Sequence, residues 1–172
     1  MTWVEEWGWT AKSLYEVSKL AAEHYLQALV AASPTGVAGS ILRVGEVVGE
    51  RRNDNLVDQL YLNALSGKPL IVSRFERDLV HVETLAQAIL SEVARLAAAS
   101  SLRRVEVVPA GPVSVQRLAE VLVEATNSES TVNVVDHLPS DRPAVDLGLE
   151  RLVVSPSSAA LHQLLKGHGY EV

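Results

Sequence analysis

Between Ala11 and Ala32 the sequence has no glycine or proline and is dominated by Ala, Leu, Glu and Lys, until Ser33-Pro34 interrupts it. That run predicts one long helix ended by Pro34. Its apolar residues are not confined to a stripe. Leu14, Val17, Ala21, Tyr25, Ala28 and Leu29 cover one side, while Leu20, Ala22 and Leu26 lie at other angles. That is more apolar surface than a helix with one face in water carries, so the fold must supply partners on both sides. Tyr15 and Lys19 sit one turn apart on this helix, roughly 6 Å along the axis at ~1.5 Å per residue. A free phenol has a pKa of about 10 and works as an acid or base near neutrality only if something such as a cation favours the phenolate. Lys19 can be that cation, although a Y-x-x-x-K spacing is also common in any helix surface.

Composition narrows the alternatives. With 172 residues, 48% of them hydrophobic, the chain fits a single domain (residues 1–172) with a sizeable core. Its net charge of -6, with no basic run, argues against nucleic acid and anionic membranes as partners. The absence of cysteine excludes disulfides and thiolate metal sites. None of the five histidines has the spacing of a zinc-binding pair, so no metal is expected. No apolar stretch has membrane-spanning length and Met1-Thr2-Trp3-Val4-Glu5-Glu6 does not read as a signal peptide, so a soluble, cytoplasmic location is expected. Trp3, Trp7 and Trp9 crowd the first nine residues, which suggests an arm that packs on its own domain or on a partner.

Beyond Pro34 the pattern alternates between strands and helices. Val37 to Val44 reads as a buried strand, Asn55 to Ser66 as a helix stopped by Gly67, and Pro69–Val72 and Asp78–Val82 as short strands. Glu83 to Ala99 reads as a helix with Leu85, Ala88, Ile89, Val93, Leu96 and Ala97 as its core stripe. A strand over Arg104–Val108 follows, then a helix capped by Ser114 and running to Ala125, a strand over Thr131–Val135, and a last helix opened by Ser155-Pro156 and ended near Lys166. The fold class is therefore α/β, with residues 1–50 a helix-and-strand element and residues 51–172 a smaller mixed lobe.

Several segments carry a family likeness, in order and spacing. Tyr15-Glu16-Val17-Ser18-Lys19-Leu20-Ala21-Ala22-Glu23 resembles the catalytic helix of the extended short-chain dehydrogenases/reductases, the NAD(P)-dependent sugar-nucleotide epimerase/dehydratase family. Ile41-Leu42-Arg43 with Val47-Val48-Gly49 is similar to that family's strand and R-x-x-N-x-Y-G-P turn. Asn55-Leu56 through Gly67-Lys68-Pro69-Leu70 resembles its substrate-domain helix, Arg77-Asp78-Leu79-Val80-His81-Val82 its R-D-x-x-H-V, Pro112-Val113-Ser114-Val115 its "pvSv", and Asp141-Arg142-Pro143 its D-R-P. The likeness covers the family's second half only. It implies a partial Rossmann-like element followed by a substrate-binding lobe, without the N-terminal nucleotide-binding half. Thr35-Gly36-Val37-Ala38-Gly39-Ser40 looks like the start of a glycine-rich dinucleotide turn, but Leu42 fills the third glycine position and a helix, not a strand, precedes it, so it reads as a loop.

By this resemblance Tyr15 is the acid/base at a sugar hydroxyl or keto oxygen, and Lys19 both favours the phenolate and contacts the nicotinamide ribose. Glu46, Asn55, Leu56, Arg77 and Arg142 fall at substrate-binding positions, the two arginines where a substrate diphosphate is held. Departures accompany these matches: Glu46 replaces an Asn, Val48 and Glu50 replace an aromatic and a Pro, Thr84 replaces an Asp, and the hairpin from Leu70 to Arg77 is short. A carboxylate at position 46 would repel a diphosphate. The expectation is a chain that binds no NAD(P) alone and needs a complementary nucleotide-binding subunit or half, or that works as a homodimer, with a sugar nucleotide or other small molecule as ligand. A non-catalytic interaction module and a cofactor-free Tyr/Lys acid-base enzyme are the alternatives.

Overall fold

The computed structural model describes residues 14–33, 36–49, 56–97, 101–135 and 150–168. Asn55, Arg142 and the three tryptophans lie outside them. The fold is α/β, with both parallel and antiparallel strand pairs. It divides into two compact units, one of residues 1–43, 89–106 and 142–151, the other of 44–88, 107–141 and 152–172.

In the first unit, helix α1 (Leu14–Ala32) leads to strand β1 (Gly39–Val44). β1 is the edge of a three-stranded sheet in the order β1-β6-β9, with β6 spanning Leu102–Pro109 and β9 Glu150–Val154. Leu20, Ile41 and Val105 are buried here. A Cβ at Gly39 would meet Val30, Leu102 and Leu26 side chains at 3.2–3.4 Å, so the start of β1 runs close beneath α1. Two polar ties add to the packing. Glu23 holds Arg43 in a two-pronged ion pair, Nε to Oε1 at 3.0 Å and Nη2 to Oε2 at 2.8 Å, and Arg104 Nη2 donates to Gln27 Oε1 at 3.2 Å. The fork geometry sets the rotation of α1 about its axis as well as its distance from β1.

α1 turns inward the side bearing Leu20, with Glu23, Leu26 and Val30 half-buried. Its other apolar side stays open: Leu14 is 90% and Tyr25 73% exposed, and Val17 and Leu29 are exposed too. Helix α3 (Val82–Leu96) departs from its expected stripe. Ala88 is buried and Leu85 and Leu96 are half-buried, but Ile89 and Val93 face outward, and the residue turned in between is Glu92. The cause is a charge partner that sequence spacing does not show. Arg103 Nε lies 3.0 Å from Glu92 Oε1, and Ser40 Oγ donates to the same oxygen at 3.0 Å.

The second unit holds the larger core. Strand β2 (Glu46–Val48) pairs in parallel with β5 (Leu79–His81), and β3 (Leu70–Ser73) in parallel with β8 (Val132–Val135). Strand β4 (Glu76–Arg77) pairs antiparallel with β7 (Val113–Ser114). β3 and β4 therefore do not form the expected hairpin; each finds a partner from further along the chain. Helices α2 (Leu56–Leu65), α4 (Val115–Ala125) and α5 (Ser157–Gly167) bring Val57, Leu60, Leu118, Leu122, Leu161 and Leu164 into one cluster with Leu70, Val72 and Leu79. Local signals bound these helices as the sequence predicts. Ser114 accepts the N–H of Arg117 at 3.1 Å as an N-cap, and Gly67, at φ +65, closes α2 in the left-handed conformation glycine tolerates.

Candidate functional site

Tyr15 and Lys19 lie on the first turns of α1, where helical spacing alone brings them together. The Lys19 ammonium is 5.3 Å from the centroid of the Tyr15 ring, a cation–π distance. Both side chains are exposed, Tyr15 at 69%. Ser18, between them, donates its hydroxyl back to the Tyr15 carbonyl at 2.7 Å, which spends it on the helix backbone and not on chemistry. The pair is thus carried on a rigid element, tied at Glu23 to Arg43, and is open to a ligand or to another chain.

The remaining candidates lie in the second unit. Glu46 follows Gly45 directly, where the chain passes so close to Asp78 that a Cβ at position 45 would lie 2.3 Å from the Asp78 carbonyl oxygen. The Glu46 N–H donates to that carbonyl at 2.7 Å, and β2 continues opposite Leu79. The Glu46 carboxylate reaches the N-terminus of α2 and accepts the N–H of Leu56 at 3.1 Å. Two of the candidate substrate residues are therefore joined to each other. An anion at this end of a helix is stabilised by its unpaired amides and dipole.

Arg77 ends β4. Its main chain is committed to the strand pair with Val113, while its Nε is buried and makes no hydrogen bond. An Arg nitrogen in that state suits an oxygen-rich anion as partner. His81, buried at the end of β5, accepts the Glu83 N–H through Nδ1 at 3.4 Å, so it serves the turn into α3. Among the described residues no cluster of His, Asp and Glu is arranged to hold a metal ion, and no helix is long and apolar enough to cross a membrane. Sequence reasoning did not foresee Ser157, which is fully buried beside Arg77; as a small polar residue following a proline, it carried only a helix-start signal.

Residues 5–107 match the model of the NAD dependent epimerase/dehydratase family. No curated protein matches the chain. Among solved structures, a UDP-galactose 4-epimerase aligns with a TM-score of 0.70 and 17% identity, over 91% of this chain and 54% of its own. The dTDP-glucose 4,6-dehydratase of Bacillus anthracis in complex with NAD aligns at 0.68 and 17%, over 93% and 53%. The UDP-glucose 4-epimerase of Thermus thermophilus in complex with NAD aligns at 0.60 and 25%, over 94% and 50%. The chain spans about half the length of these structures, and the likeness is to that part of their Rossmann-type fold. On the family match, which takes in the Tyr15 helix, β1 and the Arg77 strand, this chain belongs to the NAD dependent epimerase/dehydratase family.

Proposed function

We propose that the chain supplies the catalytic helix and the substrate-binding part of an NAD(P)-dependent epimerase, dehydratase or reductase, and that redox chemistry requires a complementary nucleotide-binding half outside these residues. The observation that carries this reading is the Tyr15–Lys19 pair, with the ammonium 5.3 Å from the ring and both side chains open on α1. In this role the Tyr15 phenolate, favoured electrostatically by Lys19, takes a proton from a substrate hydroxyl, and in the reverse direction the Tyr15 phenol returns one to a keto oxygen. Bound NAD(P) supplies the hydride acceptor or donor. The exposed lysine fits a ribose contact on the same face, and Arg77, with its buried and unbonded Nε, fits a phosphate of the substrate. Asn55 and Arg142 are proposed for the same substrate. A cytoplasmic location accords with this chemistry.

The test combines binding and turnover. Titration calorimetry with NAD should show no appreciable binding to the 172-residue chain alone. Mixed with a nucleotide-binding half of the family, the chain should gain NAD-dependent turnover of a nucleotide sugar, and Tyr15→Phe should abolish most of it while the fold survives. Micromolar NAD binding by the chain alone would overturn the need for a second half, and near-normal turnover by Tyr15→Phe would overturn the acid/base role. The open apolar side of α1 favours a second reading, a non-catalytic interaction module, which predicts association with a partner and no turnover.

A further inference from the structure

Helix α5 is entered through Pro156, whose carbonyl accepts the N–H groups of Ala159 at 2.9 Å and Ala160 at 3.2 Å. No side chain caps this end. A serine at a helix start ordinarily serves the free amides of its own first turn, but Ser157 does not. Its N–H donates to the Gly111 carbonyl at 3.1 Å. Its Oγ accepts the N–H of Leu79 at 3.0 Å and donates to the carbonyl of Arg77 at 3.4 Å. One fully buried hydroxyl, which can donate once and accept besides, thus grips the chain on both sides of Asp78.

The same three residues are held by other contacts as well. The Asp78 carbonyl receives the Glu46 N–H at 2.7 Å, Gly45 lets β2 approach within the space a Cβ would fill, and Arg77 is in register with Val113. The Arg77 and Asp78 carbonyls and the Leu79 N–H are thus each hydrogen-bonded, whereas the Arg77 Nε has no hydrogen-bond partner. A backbone held in this way, carrying a guanidinium whose buried Nε is not spent on a hydrogen bond, leaves little freedom to lose when the guanidinium meets an anion.

We infer that Ser157 is a positioning residue for Arg77, fixing its main chain so that the guanidinium is set to receive a phosphate of the substrate. The inference rests on the proposed reading of Arg77 as the phosphate contact. UDP is the probe, titrated by calorimetry into the full chain and into Arg77→Gln, Ser157→Ala and the double variant. Arg77→Gln should weaken UDP about tenfold, and Ser157→Ala by roughly three- to fivefold with Arg77 present and not at all in the Arg77→Gln background. Ser157→Cys, nearly the same size and still a weak donor and acceptor, should recover part of the loss, and carries the cycle if Ser157→Ala does not fold. Equal weakening by the serine change in both backgrounds, unchanged affinity, or no UDP binding by the unaltered chain would each overturn the inference. These outcomes are separate from the redox reading, which stands or falls on Tyr15→Phe turnover.

Discussion

The Glu46 carboxylate accepts the N–H of Leu56 at 3.1 Å, which places a negative charge on the first amide of α2. By the family resemblance of the sequence this position matches one usually held by a neutral Asn; here it is an anion that satisfies the Leu56 amide.

Glu46→Gln keeps a carbonyl acceptor and should cost well under about 1 kcal/mol, whereas Glu46→Ala leaves the amide open and should cost about 1 kcal/mol. Urea unfolding distinguishes the two. With the charge gone, the Gln variant should also bind UDP a few-fold more tightly, because a fixed carboxylate repels phosphate. Unchanged UDP affinity would show that the Glu46 charge does not reach the ligand.

Gly45→Ala tests the close approach of β2 to Asp78. Its new Cβ would lie 2.3 Å from the Asp78 carbonyl oxygen and 2.8 Å from the Asp78 Cβ, and the first of these is backbone, which cannot swing aside. A loss of about 2–3 kcal/mol is expected from the forced shift and the broken Glu46–Asp78 hydrogen bond. Gly111→Ala, where nothing lies within 4 Å of the added carbon, should be near neutral. Equal thermal melts for the two variants would contradict the crowding at Gly45.

Much of this chain could be read locally, and the failures share one cause. Helices α1, α4 and α5 announce themselves by composition, by Ser114 and by Pro156, and Gly67 marks the end of α2. The Tyr15–Lys19 pair was visible because helical spacing alone brings it together. Glu92 was not, because its inward turn depends on Arg103 and Ser40, which are distant in sequence. Likewise β9, absent from the sequence reading, exists as a strand through its place in the β1-β6-β9 sheet. Ser157 gains its role only when the fold brings it to Arg77 and Leu79.

The Glu92 site yields a stability prediction. Glu92 is 2% exposed, with Arg103 Nε at 3.0 Å and Arg95 Nη1 at 3.8 Å, while its Oε2 makes no hydrogen bond. Arg103 also pairs at 2.5 Å with Glu150, whose side chain is 62% exposed. Glu92→Ala removes the buried partner and should cost about 3 kcal/mol, whereas Glu150→Ala, removing a solvated one, should cost less than about 1 kcal/mol. Chemical denaturation of both variants checks this, and a reversed order would mean that the exposed pair dominates.

The last prediction concerns association. On α1 the apolar side formed by Leu14, Val17, Tyr25 and Leu29 is exposed, and β1 forms an edge of its sheet among the described residues. Contiguous apolar surface and an unpaired strand edge both invite another chain. We expect a homodimer or a complex with the complementary half, formed through this face. Leu14→Glu together with Leu29→Glu should then shift the protein to a monomer in light scattering with little loss of melting temperature, because Leu14 is 90% and Leu29 50% exposed in the chain itself. A monomer before any substitution, at micromolar concentration and with a partner half present, would show that this surface remains open to water.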